Sequence, residues 1–336
     1  MTNMTELHIQ LPVGSRLSSV RVLRQLYERP TATVYLCEDR TTTERLVIKH
    51  AQCRPAESSD EAVTLKRIVV QGTSENEPPV ILHMAEDAVE HECQVALTIR
   101  DAGDHPHVVR YFEACSSPSP RDDEKQTPID TRDLFLVMEY CSNGDLFELL
   151  QRQDESRFDE ATALYFFRQI VEGLDHIHRL GVAHRDVSLE NVLLDAQWQV
   201  KLCDFALSTS TNRECTECVG KLHYMAPEVL IGRGYDPVKA DVWSLGIMLF
   251  IMVTGSPLFH IAAPSDPAWN AVQRVGVLGI LTKWGLSDQY SPLLIDLLTE
   301  MLRISPTQRL PNLEYLLDRI PRQVTRPPLD TLIQQR

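Results

Sequence analysis

The sequence predicts an α+β fold: a small strand-rich lobe with one main helix, then a larger, mostly helical lobe. Apolar and polar residues alternate from Val20 to Cys37, the period of strands with one buried face. After Asn143-Gly144-Asp145 the period changes. Leu164, Phe167, Ile170, Val171, Leu174 and Ile177 recur at helical spacing between Ala161 and Leu180. With 336 residues, 43% hydrophobic and 24% charged, the chain is long and apolar enough for two substantial cores.

Taken in order, residues 1–19 read as a short polar arm. Val20 to Cys37 reads as a hairpin and Leu46-Val47-Ile48-Lys49 as a third strand. Residues 52–80 are polar, acidic and proline-containing without a period, so a long flexible insert is expected there. A helix is expected from about Glu86 to Arg100, with Val95, Ala96 and Ile99 on one face. Val108–Ala114 and Leu134–Glu139 read as strands, and residues 116–133 as a second surface insert. Further helices are expected over Ala161–Leu180, Asp241–Val253, Ser291–Leu302 and Pro311–Ile320. No internal repeat is visible.

The net charge of −14 argues against non-specific binding to nucleic acid or to an anionic membrane. The longest apolar stretch, Leu245 to Val253, is too short to span a bilayer and reads as a buried helix. The N-terminus shows no basic segment followed by an apolar run, so no signal peptide is expected. The eight cysteines are scattered. Cys215 and Cys218 form a C-x-x-C without a second pair at zinc spacing, in a segment expected to be mobile. They read as incidental thiols of a reducing compartment, with a redox pair as the alternative. The expected location is cytoplasmic, with the nucleus also open to the chain.

The most informative run is His184-Arg185-Asp186-Val187-Ser188-Leu189-Glu190-Asn191. Asp204-Phe205-Ala206 begins thirteen residues past Asn191, and Ala226-Pro227-Glu228 follows. A lone aspartate or asparagine in a loop is usually just solvated, but agreement of several short motifs in order is not a chance pattern. The set resembles the eukaryotic protein kinase superfamily, whose members show H-R-D-x-x-x-x-N, D-F-G and A-P-E. The resemblance covers residues 20–322.

This resemblance implies a bilobal protein-kinase fold, with an N-lobe at 20–138, a hinge at 139–144 and a C-lobe at 145–322. Residues 323–336 would form a C-terminal tail. It implies a serine/threonine kinase using ATP and Mg²⁺ on protein substrates; it is silent on oligomeric state. Asp186 matches the base that accepts the substrate's hydroxyl proton, and Asn191 and Asp204 match the metal-holding positions. Lys49 matches the lysine that grips the α- and β-phosphates, although a strand lysine is usually a solvated edge charge. Its partner on the helix is expected to be Glu92, which puts Val95, Ala96 and Ile99 at its +3, +4 and +7 positions. Glu90 is the alternative and Glu86 lies too far upstream. Met138 matches the gatekeeper, and Glu139 and Cys141 fall in the adenine-binding hinge. Asp145 matches a ribose-binding position. Leu26, Val34, Val47 and Leu193 would surround the base, or could equally be plain core. Glu228 is expected to pair with Arg309, and Asp241 to hold the catalytic-loop backbone.

The sequence also departs from the family. Tyr27, Arg29 and Ala32 stand at the three glycine positions of the phosphate lid, and Pro30 at its tip has no N–H to offer. Ala206 replaces the glycine after Asp204-Phe205, which restricts flipping of that segment. Ser188 replaces a lysine that contacts the γ-phosphate, while Lys221, after Gly220, stands where a threonine is usual. Lys221 is therefore expected to reach back to Asp186, or else to be a solvated loop lysine. Arg185 is the arginine that in many kinases pairs with a phosphorylated activation loop. Here the count lands on Glu217, which could stand in for the phosphate. Thr216, Ser208, Thr209, Ser210 and Thr211 are alternative switches. A pseudokinase scaffold that binds nucleotide weakly is the alternative to an active enzyme.

Overall fold

The computed structural model describes residues 20–29, 32–53, 65–70, 80–85, 88–118 and 132–322. The expected N-terminal arm, Pro30, Glu86 and the tail from 323 lie outside the described residues, as do 54–64, 71–79 and 119–131 within the two expected inserts. The chain divides into two compact units. One holds residues up to 65, 85–104 and 109–140; the other holds 66–84, 105–108 and 141 onward.

The first unit is built on a five-stranded antiparallel sheet of order β1-β2-β3-β7-β6. Its strands are β1 (Val20–Arg29), β2 (Ala32–Asp39), β3 (Arg45–Cys53), β6 (Tyr111–Pro118) and β7 (Arg132–Glu139). Alternation sorts the side chains. Val20, Cys37, Leu46, Ile48, Phe135 and Val137 form one buried cluster, which places Val34, Val47, Lys49 and Met138 on the opposite face. Register agrees, because Val34 lies across from Lys49 and Val47 from Met138. Asp39 closes the β2–β3 turn by accepting from Thr41 N at 2.7 Å. Helix α1 (Ala88–Ala102) packs on β6 and β7.

Three expectations about this region need correction. The polar stretch 52–80 is not wholly an insert: β3 continues to Cys53, and β4 (Leu65–Val70) pairs with β5 (Val80–Ala85). Ile68, Val69 and Val70 carry the β-branched signal that the surrounding polarity obscures. Val108 is not part of β6; it bridges Leu202 in the second unit's β-structure. The second insert is shorter than 116–133, because β6 reaches Pro118 and β7 starts at Arg132.

The second unit contains α2 (Leu146–Gln151), α3 (Glu160–Arg179), α4 (Pro227–Ile231), α5 (Pro237–Thr254), α6 (Pro267–Lys283), α7 (Pro292–Met301) and α8 (Leu313–Arg319). Two small ribbons pair β9 (Val192–Leu194) with β10 (Val200–Leu202), and β8 (Val182–Ala183) with β11 (Thr209–Ser210). Helix starts repeat one device. Asp236, Asp266 and Ser291 each cap a helix whose first residue is proline, filling orphan N–H groups with a side-chain oxygen. Helix α5 is longer than its apolar run, and by length and composition alone could cross a bilayer. Its residues are instead mostly buried against α3 and α7, as a helix apolar all round must be. Gly246 lets this packing close, because a Cβ there would stand 2.8 Å from Leu302.

Candidate active site

In the strand-rich unit, Lys49 Nζ donates to Glu92 Oε2 at 2.5 Å, and both side chains are buried. Glu90 is exposed in the first turn of α1. The faces explain the choice: Lys49 leaves β3 opposite the apolar cluster, and Glu92 shares its buried face of α1 with Val95, Ala96 and Ile99. Burying either charge alone would be costly, and the short contact offsets that cost for both. Val34, Val47 and Met138 are buried on the same sheet face as Lys49, and Leu26 is half-buried on β1. Arg29 pairs with Ala32 across the hairpin. Glu139 Oε1 accepts from Arg110 N at 2.7 Å.

In the helical unit, Cys141 is buried. Asp145 and Leu193 are joined by an antiparallel bridge. Asp145 Oδ1 also accepts from Glu148 N at 2.8 Å and so caps α2. Burial pushes its carboxyl above the ordinary aspartate value, with Glu148 and Glu190 adding to the rise.

The segment 184–191 is held from below by Asp241. Its carboxylate accepts from His184 N and Arg185 N, each at 2.8 Å, and meets His178 Nε2 at 2.8 Å. Arg185 carries φ of 62°, a left-handed conformation that needs such support. His184 is fully buried, with Nε2 3.0 Å from Cys203 O, which ties the segment to the residue before Asp204. Asp204 also has positive φ, 64°, and Phe205 is fully buried beside His184.

Asp186 is held by Asn191. Asn191 Nδ2 donates to its Oδ2 at 2.7 Å and to its backbone O at 2.8 Å. Burial raises the Asp186 pKa, Lys221, His184 and Asn191 pull it down, and the Asp204 carboxylate raises it again; the net shift is upward. Lys221 Nζ lies 2.5 Å from Ser188 Oγ, 3.7 Å from Asp186 Oδ2 and 3.8 Å from Glu190 Oε2. Gly220 makes that approach possible: its φ is 103°, and a Cβ there would stand 2.8 Å from Arg185 O.

Arg185 turns away from this group. Its side chain is buried, with Nε donating to Leu207 O at 2.7 Å and a terminal nitrogen 3.1 Å from Glu217 Oε2. Arg213 takes the other Glu217 oxygen. The segment expected to be mobile is in fact packed here: Cys215 and Cys218 are buried thiols, and Cys215 pairs with Tyr235 through two backbone bonds of 3.0 and 2.8 Å. Farther off, Arg309 makes a two-pronged pair with Glu228, its second prong 2.7 Å long. Sequence reasoning did not single out Arg213, Tyr235 or His178. None of the three carried a local signal, because Arg213 and Glu217 stand four apart outside any helix.

The strand-rich unit thus holds a lysine–glutamate pair between β3 and α1, and the helical unit an aspartate–asparagine pair on a loop that Asp241 supports. A family model described as the protein kinase domain matches residues 30–319, and the chain belongs to that family. It is similar to the carbon catabolite-derepressing protein kinase of Secale cereale, 34% identical over 238 residues, covering 68% of this chain and 43% of that protein. The SNF1-related protein kinase catalytic subunit alpha KIN12 of Arabidopsis thaliana is 32% identical over 238 residues, covering 68% of this chain and 43% of that protein. The serine/threonine-protein kinase SAPK3 of Oryza sativa subsp. indica is 40% identical over 167 residues, covering 48% of this chain and 45% of that protein. The chain thus spans less than half the length of these relatives.

Proposed function

We propose that this chain is a serine/threonine protein kinase that moves a phosphoryl group from ATP to protein hydroxyls, with Asp186 as the base. The reading rests above all on the group around Asp186. Asn191 fixes its carboxylate, and Asp204 lies near enough for its charge to raise the Asp186 pKa. Oxygen donors and like charges gathered in a buried setting suit a hard divalent cation. Asn191 and Asp204 would hold magnesium, and Lys49 the phosphate oxygens. ATP would supply the phosphoryl group, and magnesium the charge that offsets what develops during transfer.

The chain's own residues do the rest. Asp186 accepts the hydroxyl proton, and Asn191 keeps its carboxylate in one rotamer for that task. Lys221 supplies an ammonium beside the base, where Ser188 has none to give. Glu92 keeps Lys49 charged and in place. Leu26, Val34, Val47, Met138 and Leu193 offer apolar surface to adenine, Glu139 and Cys141 backbone polar groups, and Asp145 a carboxylate to ribose. The similarity to the serine/threonine-protein kinase SAPK3 favours serine and threonine as acceptors. A cytoplasmic or nucleocytoplasmic location goes with this reading.

The test is transfer from labelled ATP onto a generic basic protein, with Asp186→Asn as control. Transfer by the wild type and none by the variant is expected. Nucleotide binding with equally absent transfer from both proteins would make the chain a pseudokinase scaffold.

A further inference from the structure

We infer that Glu217 is a positioning residue: a carboxylate in the chain that locks Arg185, and with it Asp186, into place without any phosphate on residues 205–220. The inference rests on the kinase reading and specifies how that site is regulated. It starts from Arg185, the residue joined by a peptide bond to the base. Its guanidinium is 7% exposed, so its charge needs a partner. Glu217 Oε2 supplies one at 3.1 Å. The pairing is not a loose surface contact, since the Glu217 side chain is only 14% exposed.

Three further bonds hold Glu217 itself. Arg213 takes Oε1, and Thr216 N donates to Oε2 at 3.2 Å. Tyr235 OH donates to the Glu217 backbone carbonyl at 2.9 Å, and lies 3.5 Å from the Arg185 guanidinium. The Cys215–Tyr235 backbone pair closes the loop behind it. One carboxylate therefore ties together the residue before the base, the segment that follows Asp204, and the loop that leads into α5. Burial alone would raise the Glu217 pKa, but backbone N–H groups and the two guanidiniums bring it below the ordinary glutamate value, so the group stays charged.

The nearby hydroxyls make a poorer case as switches. Ser208 and Thr209 are buried, and Ser208 Oγ is spent on Phe205 O at 2.7 Å. Thr216 is exposed, yet its neighbour already occupies Arg185. A carboxylate carries less charge and fewer acceptor oxygens than a phosphate. Arg213, on the second carboxylate oxygen, makes up part of that difference by holding it in one orientation.

The experiment compares phosphatase-treated wild type, shown free of phosphate by intact mass, with Glu217→Gln and Glu217→Asp. Each is measured for kcat, KM for ATP and amide exchange across residues 205–220. The treated wild type should keep its rate. Glu217→Gln, matched in size but uncharged, should lose about tenfold or more in kcat with little change in KM, and should lose amide protection in that segment. Glu217→Asp, which keeps the charge, should recover most of both, a rescue that a merely space-filling role would not give. A rate lost on phosphatase treatment alone would overturn the inference and move the switch to Ser210, Thr211 or Thr216. Glu217→Gln retaining rate and protection would also overturn it. A wild type that never transfers phosphate defeats the kinase reading instead. The lock is then decided by exchange alone, and unchanged protection in Glu217→Gln rejects it.

Discussion

At the scale of single residues, the unusual feature is an ammonium that arrives from a neighbouring segment. Ser188 cannot supply a cation, and Lys221 Nζ sits 2.5 Å from its hydroxyl and 3.7 Å from Asp186. The two positions share one volume, so their substitutions should not add. Lys221→Thr should lower turnover by about tenfold or more, and Ser188→Lys should restore part of it only in the Lys221→Thr background; a double-mutant cycle on kcat/KM measures the coupling. Additive effects would separate the two side chains. The same ammonium shapes the pH profile. It pulls the Asp186 pKa down against burial, which pushes it up. Activity requires the ionised base, so Lys221→Met should move the acid limb of kcat/KM to higher pH. A limb that stays put would mean another group titrates there. Lys221's proximity to Asp186 is legible through the family resemblance, which puts the residue after Gly220 beside the catalytic aspartate. The Arg213–Glu217–Tyr235 linkage is not, since no local period marks a contact between a loop and a residue 18 positions away.

Among the elements, those with a strong period were the readable ones. Helix α3 carries its apolar stripe, and α5 is buried over most of its length, so both stand out. Helix α6 escapes because Val275 and Leu278 are exposed and Gly276 breaks its backbone with φ of 66°. The usable signal was the Asp266-Pro267 pair, an N-cap before a proline at the first helical position. Asp266 does more than cap. It accepts from His260 N at 2.7 Å, Ile261 N at 3.1 Å, Ala268 N at 2.8 Å and Trp269 N at 3.3 Å. Burial opposes its charge, but these donors leave its pKa below the ordinary aspartate value. Asp266→Ala should therefore cost about 1–2 kcal/mol by chemical denaturation near neutral pH. The sign follows from the lowered pKa. The stabilisation is full above the unfolded aspartate value and is lost as pH falls through the lower folded value. The gap between variant and wild type should shrink on acidification; a gap independent of pH would mean lost packing, not lost charge.

Over the whole molecule, a chain of net charge −14 is proposed to bind a polyanion, so binding must come from local cations and not from the overall field. The kinase reading assigns that role to Lys49, beside Glu92, and to Lys221, beside Asp186. On the kinase reading the missing lid glycines weaken the backbone's share, and the β1–β2 pairing, irregular between Val22 and Arg24 and between Gln25 and Tyr27, runs on to Arg29 and Ala32. Low affinity is the expected consequence, and millimolar nucleotide the right range in which to look. A ligand that binds only the folded state stabilises it by mass action, about 2.7 kcal/mol at a hundred times Kd. Mg·ATP should therefore raise the melting temperature of the wild type, more than ATP with a chelator does. Lys49→Met needs separate treatment, because it strands the buried Glu92 carboxylate and lowers the melting temperature before any ligand is added. Its informative quantity is the difference with and without Mg·ATP, which should fall close to zero. A Lys49→Met protein that shifts as far as the wild type would remove Lys49 from the nucleotide site. The buried pair with Glu92 would then be a structural tie between β3 and α1, and the phosphate grip would have to be sought among the cations of the helical unit.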